Sequence, residues 1–128
     1  VIRQFRVPIN SYIYEMPAGL IDKGESPQTA ITRELKEETG LDVIEILKNT
    51  VKGQLFLSPG MTDESVTSVF CTCGGTISKA YMEEDEDIEP ILLSPKEAQE
   101  LLIKDVKFDI KCYIYLQEFA KSGNKMFK

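Results

Sequence analysis

Three glutamates, Glu34, Glu37 and Glu38, crowd into one short stretch of the chain. Like charges three or four apart on a helix repel by a few tenths of a kcal/mol per pair, so the crowding calls for a counter-charge. At 100° per residue the three carboxylates share an arc of about 100°. Ala30 lies in the same arc and leaves space above it, while Ile31 and Leu35 form the neighbouring apolar stripe and Thr32 and Lys36 face water. Hard carboxylate oxygens in such a group suit Mg²⁺ or Mn²⁺. A plain solvated acidic face is the alternative. The chain contains 0 histidines, so acid–base chemistry near neutral pH must use carboxylates, Lys, Tyr, Cys or metal-bound water.

The elements that position these groups can be read from local signals. Ser26 is an N-cap with Pro27 at the first helical position, and the helix runs to about Thr39 with Gly40 just past its end. Residues 1–6 and 12–16 read as strands, rich in β-branched and aromatic side chains. Residues 42–57 read as strand broken at Lys52-Gly53, and residues 65–73 as a strand ended by Gly74-Gly75. An acidic loop over 83–89 leads into a short strand, Pro90 to Leu93. Ser94 and Glu97 have capping-box spacing and open a helix through about Ile103. A last helix covers roughly 109–121, with Ile110, Tyr113, Ile114 and Gln117 on one side. The polar tail after it should fray. Strands with helices interspersed indicate a layered α/β or α+β domain.

Composition narrows the function. The 128 residues carry 42% hydrophobic and 28% charged side chains, an ordinary globular balance for one domain, residues 1–128. The net charge of −6 argues against a nucleic-acid groove, although phosphates can still bind where metal ions stand between the charges. No apolar run is long enough to span a bilayer. Cys71, Cys73 and Cys112 form no disulfide framework and fit a reducing, cytoplasmic setting as buried structural thiols, with Cys71 and Cys73 on one face of a strand.

The carboxylates belong to a longer pattern. Gly19, Glu25, Arg33, Glu34, Leu35, Glu37, Glu38, Gly40 and Leu41 satisfy G-x5-E-x7-R-E-U-x-E-E-x-G-U, with U a large aliphatic residue. A chance match in a chain of this length is on the order of one in 10⁸ at ordinary residue frequencies. The pattern resembles the signature of the Nudix hydrolases and departs from it at no position. The resemblance implies a Nudix fold, an α+β (α/β/α) sandwich with a mixed sheet and a loop–helix–loop metal site. It implies cleavage of a diphosphate joined to another group, with cations bridging the phosphate oxygens and holding the attacking water. It makes Glu34 and Glu38 direct ligands of Mg²⁺ (or Mn²⁺), Glu37 a ligand or a contact through water, and the Ala18 carbonyl a further ligand. Arg33 and Glu25 would tie the loop to the helix. Gly19 lets the backbone approach the metal, and Gly40 stops the helix.

The flanks resemble the ADP-ribose pyrophosphatase branch of that family. "YEMPAGLIDKGES" matches its Glu-x-Pro-Ala-Gly lead into the signature, "LSPGMTDE" its Ser-Pro-Gly loop, "EEDEDIEPILLSPKEAQELL" its acidic loop, strand and helix, and "VIRQFRVP" its arginine-bearing strand. The resemblance implies a catalytic base on Glu84 or Glu86, with Glu37 as a further catalytic candidate, and a further metal ligand at Glu86. Met61 and Glu64 would touch the terminal ribose. Either Arg3 or Arg6 would meet a phosphate. The expected reaction is hydrolysis of ADP-ribose, a small nucleoside diphosphate substrate, to AMP and ribose 5-phosphate, with neither nucleic acid nor membrane as partner. The alternatives are the same chemistry on another nucleoside diphosphate sugar or a dinucleoside polyphosphate, or a non-catalytic domain that senses ADP-ribose-like ligands.

Relatives in that branch carry further strands before the point matching Val1. One joins the central sheet, and others pair two subunits into a homodimer. The sequence therefore leads us to expect an N-terminally incomplete domain, with an open sheet edge and an apolar gap beside residues 1–6.

Overall fold

A computed structural model describes residues 1–50 and 53–127. The fold is α+β: among the described residues three helices pack with three small antiparallel sheets. Strands β1 (Ile2–Arg6) and β2 (Ser11–Glu15) form a hairpin, turned by a short 3-10 segment, Val7–Ile9, and by Asn10 in the left-handed region at φ 45°. Helix α1 (Pro27–Thr39) leads into β3 (Asp42–Ile46). Two short strands, β4 (Leu55–Phe56) and β5 (Ser65–Val66), pair with each other, and β6 (Cys71–Gly74) pairs with β3. After β7 (Ile88–Pro90) come α2 (Pro95–Leu102) and α3 (Ile110–Ser122). Among the described residues no helix is long and apolar enough to cross a membrane.

The helix signals act as read. The Ser26 Oγ accepts the Thr29 N–H at 3.1 Å, and Gly40, at φ 78°, ends α1 with its N–H on the Lys36 carbonyl at 2.9 Å. Such a cap is worth about 1 kcal/mol. Ser94 and Glu97 close a reciprocal capping box on α2. The cap of α3 is Asp109, which accepts from the Lys111 and Cys112 N–H groups.

Several expectations need correction. β1 is the middle strand of the order β2-β1-β7, paired on both sides, so the open edge expected beside residues 1–6 is absent. Residues 88–90 supply that second neighbour because Ile88 and Pro90 alternate inward while Leu92 is exposed, which moves the strand expected over 90–93 two residues earlier. A cleft of about 680 Å³ lies instead at the Val1 end of that sheet, lined by Val1, Met16, Cys71, Leu93, Leu116 and Phe119. The strand expected over 65–73 is divided into β5 and β6. Lys52 of the expected break lies outside the described residues. Beyond α3 the chain continues as a 3-10 segment, Gly123–Phe127.

The core cluster joins Ala98 and Leu101 of α2 to Cys112 and Leu116 of α3, with Tyr14, Phe108 and Phe119 packed around it. Cys112 is fully buried, but Cys73 is exposed and Cys71 only half-buried, against the expectation of three buried thiols. Cys71 and Cys73 do share a face, with sulfurs 3.5 Å apart. On α3, Ile110, Ile114 and Gln117 face solvent, and the Cys112–Leu116 side is the buried one. Leu116→Ala should therefore cost about 2–5 kcal/mol, near the lower end because the residue borders the cleft, and Ile114→Ala about 0.5 kcal/mol or less. Urea unfolding of both variants checks this, and the reverse order would contradict the packing described.

Candidate active site

The first turn of the site is the Ala18-Gly19 backbone laid over α1. A Cβ at Gly19 would stand 1.8 Å from the Glu34 carboxyl carbon, so only glycine lets the chain pass there without displacing that side chain. Next to it the Ala18 N–H donates to Glu38 Oε2 at 3.0 Å. Two carboxylates of the helix thus press against one dipeptide of the loop.

Arg33 holds the rest. Its Nε and Nη2 donate to Glu25 at 3.2 and 3.1 Å, its Nη2 to the Leu20 carbonyl at 3.1 Å, and its Nη1 to Glu34 at 2.7 Å and Glu37 at 3.2 Å. Glu25 also accepts the Asp22 N–H at 3.0 Å. Hydrogen bonds from Arg33, and then from that amide, draw the Glu25 carboxyl below its usual range. The same contacts make Arg33 hold its proton more firmly still. Loop and helix are therefore joined by one guanidinium that reaches three glutamates.

Glu38 is the exception. It is 4% exposed, and among the described residues no cation pairs with it. Burial pushes its pKa up to about 8, against the hydrogen bond from Ala18, and the charges of Glu34, Glu86 and Glu15 add to the rise. A buried carboxylate among three others, with no cation of its own, has the donor chemistry that a divalent cation fits. As they stand, no three of these side chains, among the described residues, are set to hold an ion together. Glu34 and Glu37 would have to turn from Arg33 to meet one.

The other candidate residues divide into near and far. Glu86 contributes to the field at Glu38, with its carboxylate on the Glu83 N–H at 3.1 Å. Glu84 is exposed. Arg6 and Arg3 lie on opposite faces of β1. Arg6 pairs with Glu15 at 2.8 Å and feels the charge of Glu38, whereas Arg3 stacks on the Tyr12 ring at 4.1 Å and meets Glu89 at 3.4 Å. Met61 and Glu64 lie exposed on the 57–64 loop, and among the described residues no hydrogen bond or ion pair joins them to the carboxylates. Two residues near the site were given no site role from the sequence. Glu15 collects Gln4 at 2.7 Å and Arg6. Its signal was the hairpin register, which sets Ile2 opposite Glu15 and so puts Gln4 and Arg6 on its face. Lys36 is not a solvent residue, since it bridges Gly40, Asp42 and Tyr81.

A family profile described as the NUDIX domain matches residues 1–116. The chain belongs to the Nudix family. It is 33% identical over 119 residues to an ADP-ribose pyrophosphatase of Bacillus subtilis (strain 168), a match that covers 91% of this chain and 62% of that protein. It is 33% identical over 130 residues to a methanol dehydrogenase activator of Bacillus methanolicus, covering 94% and 67%. It is 32% identical over 137 residues to a GDP-mannose pyrophosphatase of Klebsiella pneumoniae subsp. pneumoniae, covering 96% and 64%. The Nudix chain thus spans 62%, 67% and 64% of the lengths of these three relatives.

The Glu38 environment has a consequence for stability. A carboxyl whose pKa is higher folded than unfolded takes up protons on folding, so stability falls as pH rises from 4.5 to about 8. The stabilising contribution is complete below the lower value and lost above the upper one. Glu25 and Glu97, whose pKa values are lowered, act in the opposite sense and only in more acidic solution. Without divalent cation, the melting temperature should therefore decline across that window, and Glu38→Gln should flatten the decline. Thermal melts at steps of pH check this; parallel profiles for wild type and variant would show that Glu38 is not the group responsible.

Proposed function

We propose that this chain hydrolyses the diphosphate bond of ADP-ribose to AMP and ribose 5-phosphate, using a divalent cation, Mg²⁺ or Mn²⁺. The observation that carries the proposal is Glu38: a buried carboxylate without a counter-ion, set beside Glu34 against the Ala18-Gly19 backbone. The relatives support the chemistry, since two of the three act, by name, on a nucleoside diphosphate compound.

Glu34 and Glu38 would hold the cation, with Glu37 and Glu86 beside them and the Ala18 carbonyl as a further ligand. When bound, the cation neutralises charge on the diphosphate and makes the attacking water more acidic. The chain's own residues do the rest. The Ala18 N–H fixes Glu38 before substrate arrives, and Arg33, anchored on Glu25 and the Leu20 carbonyl, keeps loop and helix together while Glu34 and Glu37 turn towards the cation. Arg6, held by Glu15, offers a guanidinium on the site face of β1 to one phosphate. Water attacks one phosphorus, and the bond from that phosphorus to the bridging oxygen breaks. The water's proton passes to a carboxylate of the acidic segment, which we assign to Glu86 because its charge reaches Glu38.

The GDP-mannose pyrophosphatase among the relatives favours a second reading, the same hydrolysis on another nucleoside diphosphate sugar. A panel of nucleoside diphosphate compounds, assayed with and without Mg²⁺, decides between the two. We expect Mg²⁺-dependent turnover with the highest kcat/KM on ADP-ribose. Glu86→Gln should lower kcat by roughly 10²–10⁴-fold and move KM little. Turnover that persists in chelator, or a Glu86→Gln variant that keeps wild-type kcat, would overturn the assignment concerned. Binding of ADP-ribose without turnover would favour a sensor.

A further inference from the structure

The segment from Glu83 to Asp87 consists of five consecutive acidic residues, and it lies near an acidic helix. Coulomb repulsion should drive it away from α1. Among the described residues no lysine or arginine forms an ion pair with any of the five. Something other than charge neutralisation must keep the segment in place.

Its fastenings are visible on either side. On the far side, Asp87 accepts the Tyr12 hydroxyl at 2.6 Å, and Ile88 is already registered against Gln4 in the sheet. On the near side the chain is fixed to the C-terminal end of α1. The Ser78 N–H donates to the Thr39 carbonyl at 2.9 Å. The Ser78 backbone sits so close to Gly40 that a Cβ there would meet its nitrogen at 2.7 Å. Three residues on, the Tyr81 ring lies 4.5 Å from the Lys36 ammonium. That ammonium also donates to the Gly40 carbonyl and to Asp42, each at 3.1 Å, where the helix dipole favours a cation. Lys36 is thus held in place from the helix side and offers its charge to an aromatic face.

We infer that Tyr81 and Lys36 form a clasp that fastens the acidic segment to the end of α1 and so sets where Glu86 stands relative to Glu38. An uncharged ring suits this task. It gains from the lysine without removing any negative charge from the segment. Both are positioning residues, because they act through Glu86, and that role rests on the proposed hydrolysis.

The test uses the whole chain and has two readouts. Hydrogen exchange by mass spectrometry follows the amides of 79–87, without Mg²⁺ and with it. Steady-state kinetics on ADP-ribose follow kcat and KM. Tyr81→Leu should speed exchange in 79–87, leave α1 unchanged, and lower kcat about two- to fivefold, the population change that losing an exposed cation–π contact brings, with KM unmoved. Lys36→Met should speed exchange in 79–87 and lower kcat to the same extent, and should also speed exchange at the last turn of α1, where its bonds to Gly40 and Asp42 are lost. Tyr81→Phe keeps the ring, and Lys36→Arg keeps the charge, so both should behave as wild type. Unchanged exchange in Tyr81→Leu, or Tyr81→Phe behaving like Tyr81→Leu, would overturn the clasp. Faster exchange with unmoved kcat would sustain the clasp and overturn the role given to Glu86. Should wild type turn over no substrate, the exchange arm still decides the clasp.

Discussion

Burial of one carboxylate organises this site. Glu38 lies within α1 where an apolar residue would ordinarily sit, beside buried Ala30, Leu35 and Thr39. Removing a carboxylate from water costs several kcal/mol unless charge or hydrogen bonds compensate. Among the described residues the chain supplies a single amide, that of Ala18. The position of that amide depends in turn on the loop crossing Glu34 at Gly19, on Arg33 tying Leu20 and Glu25 to the helix, and on Gly40 ending α1 so that the chain can turn into β3. The signature residues are therefore parts of one mechanical unit, and the cost stored at Glu38 is what a cation would relieve.

Arg33 gives that unit its form in the absence of a cation. Its guanidinium spans Glu25, Glu34 and Glu37 at once, offsetting repulsion that would otherwise splay the three side chains. A lysine could not do this, because a point charge lacks the planar fork of donors. Binding an ion would exchange the Glu34 and Glu37 contacts of Arg33 for metal contacts while Glu25 and the Leu20 carbonyl keep the arginine in place.

The helices and the loop–helix unit were readable from sequence because their signals are local. Ser26, Pro27 and Gly40 bound α1 wherever it packs, and Ser94 with Glu97 does the same for α2. The sheets were less readable because their pairing is decided at long range. Nothing near Ile88 announces that it will lie beside Gln4, yet that pairing closes the edge expected to be open beside β1. Burial misled in a similar way. Ile110 and Ile114 are apolar and in phase, but α2 packs against Cys112 and Leu116, where the small thiol lets Ala98 approach. Lys36 read as a solvent residue from its angle on the helix, and only the later chain, returning with Ser78 and Tyr81, gives it partners.

In the proposed mechanism the α1 carboxylates form a divalent-cation site with Glu38 at its centre. Titration of Mn²⁺ followed by electron paramagnetic resonance, on wild type and on a Glu34→Gln, Glu38→Gln double variant of verified fold, tests it without reference to any substrate. Wild type should quench the free-ion signal at a defined stoichiometry, Mg²⁺ should compete, and the double variant should leave the signal free. Equal Mn²⁺ binding by the two proteins would contradict it.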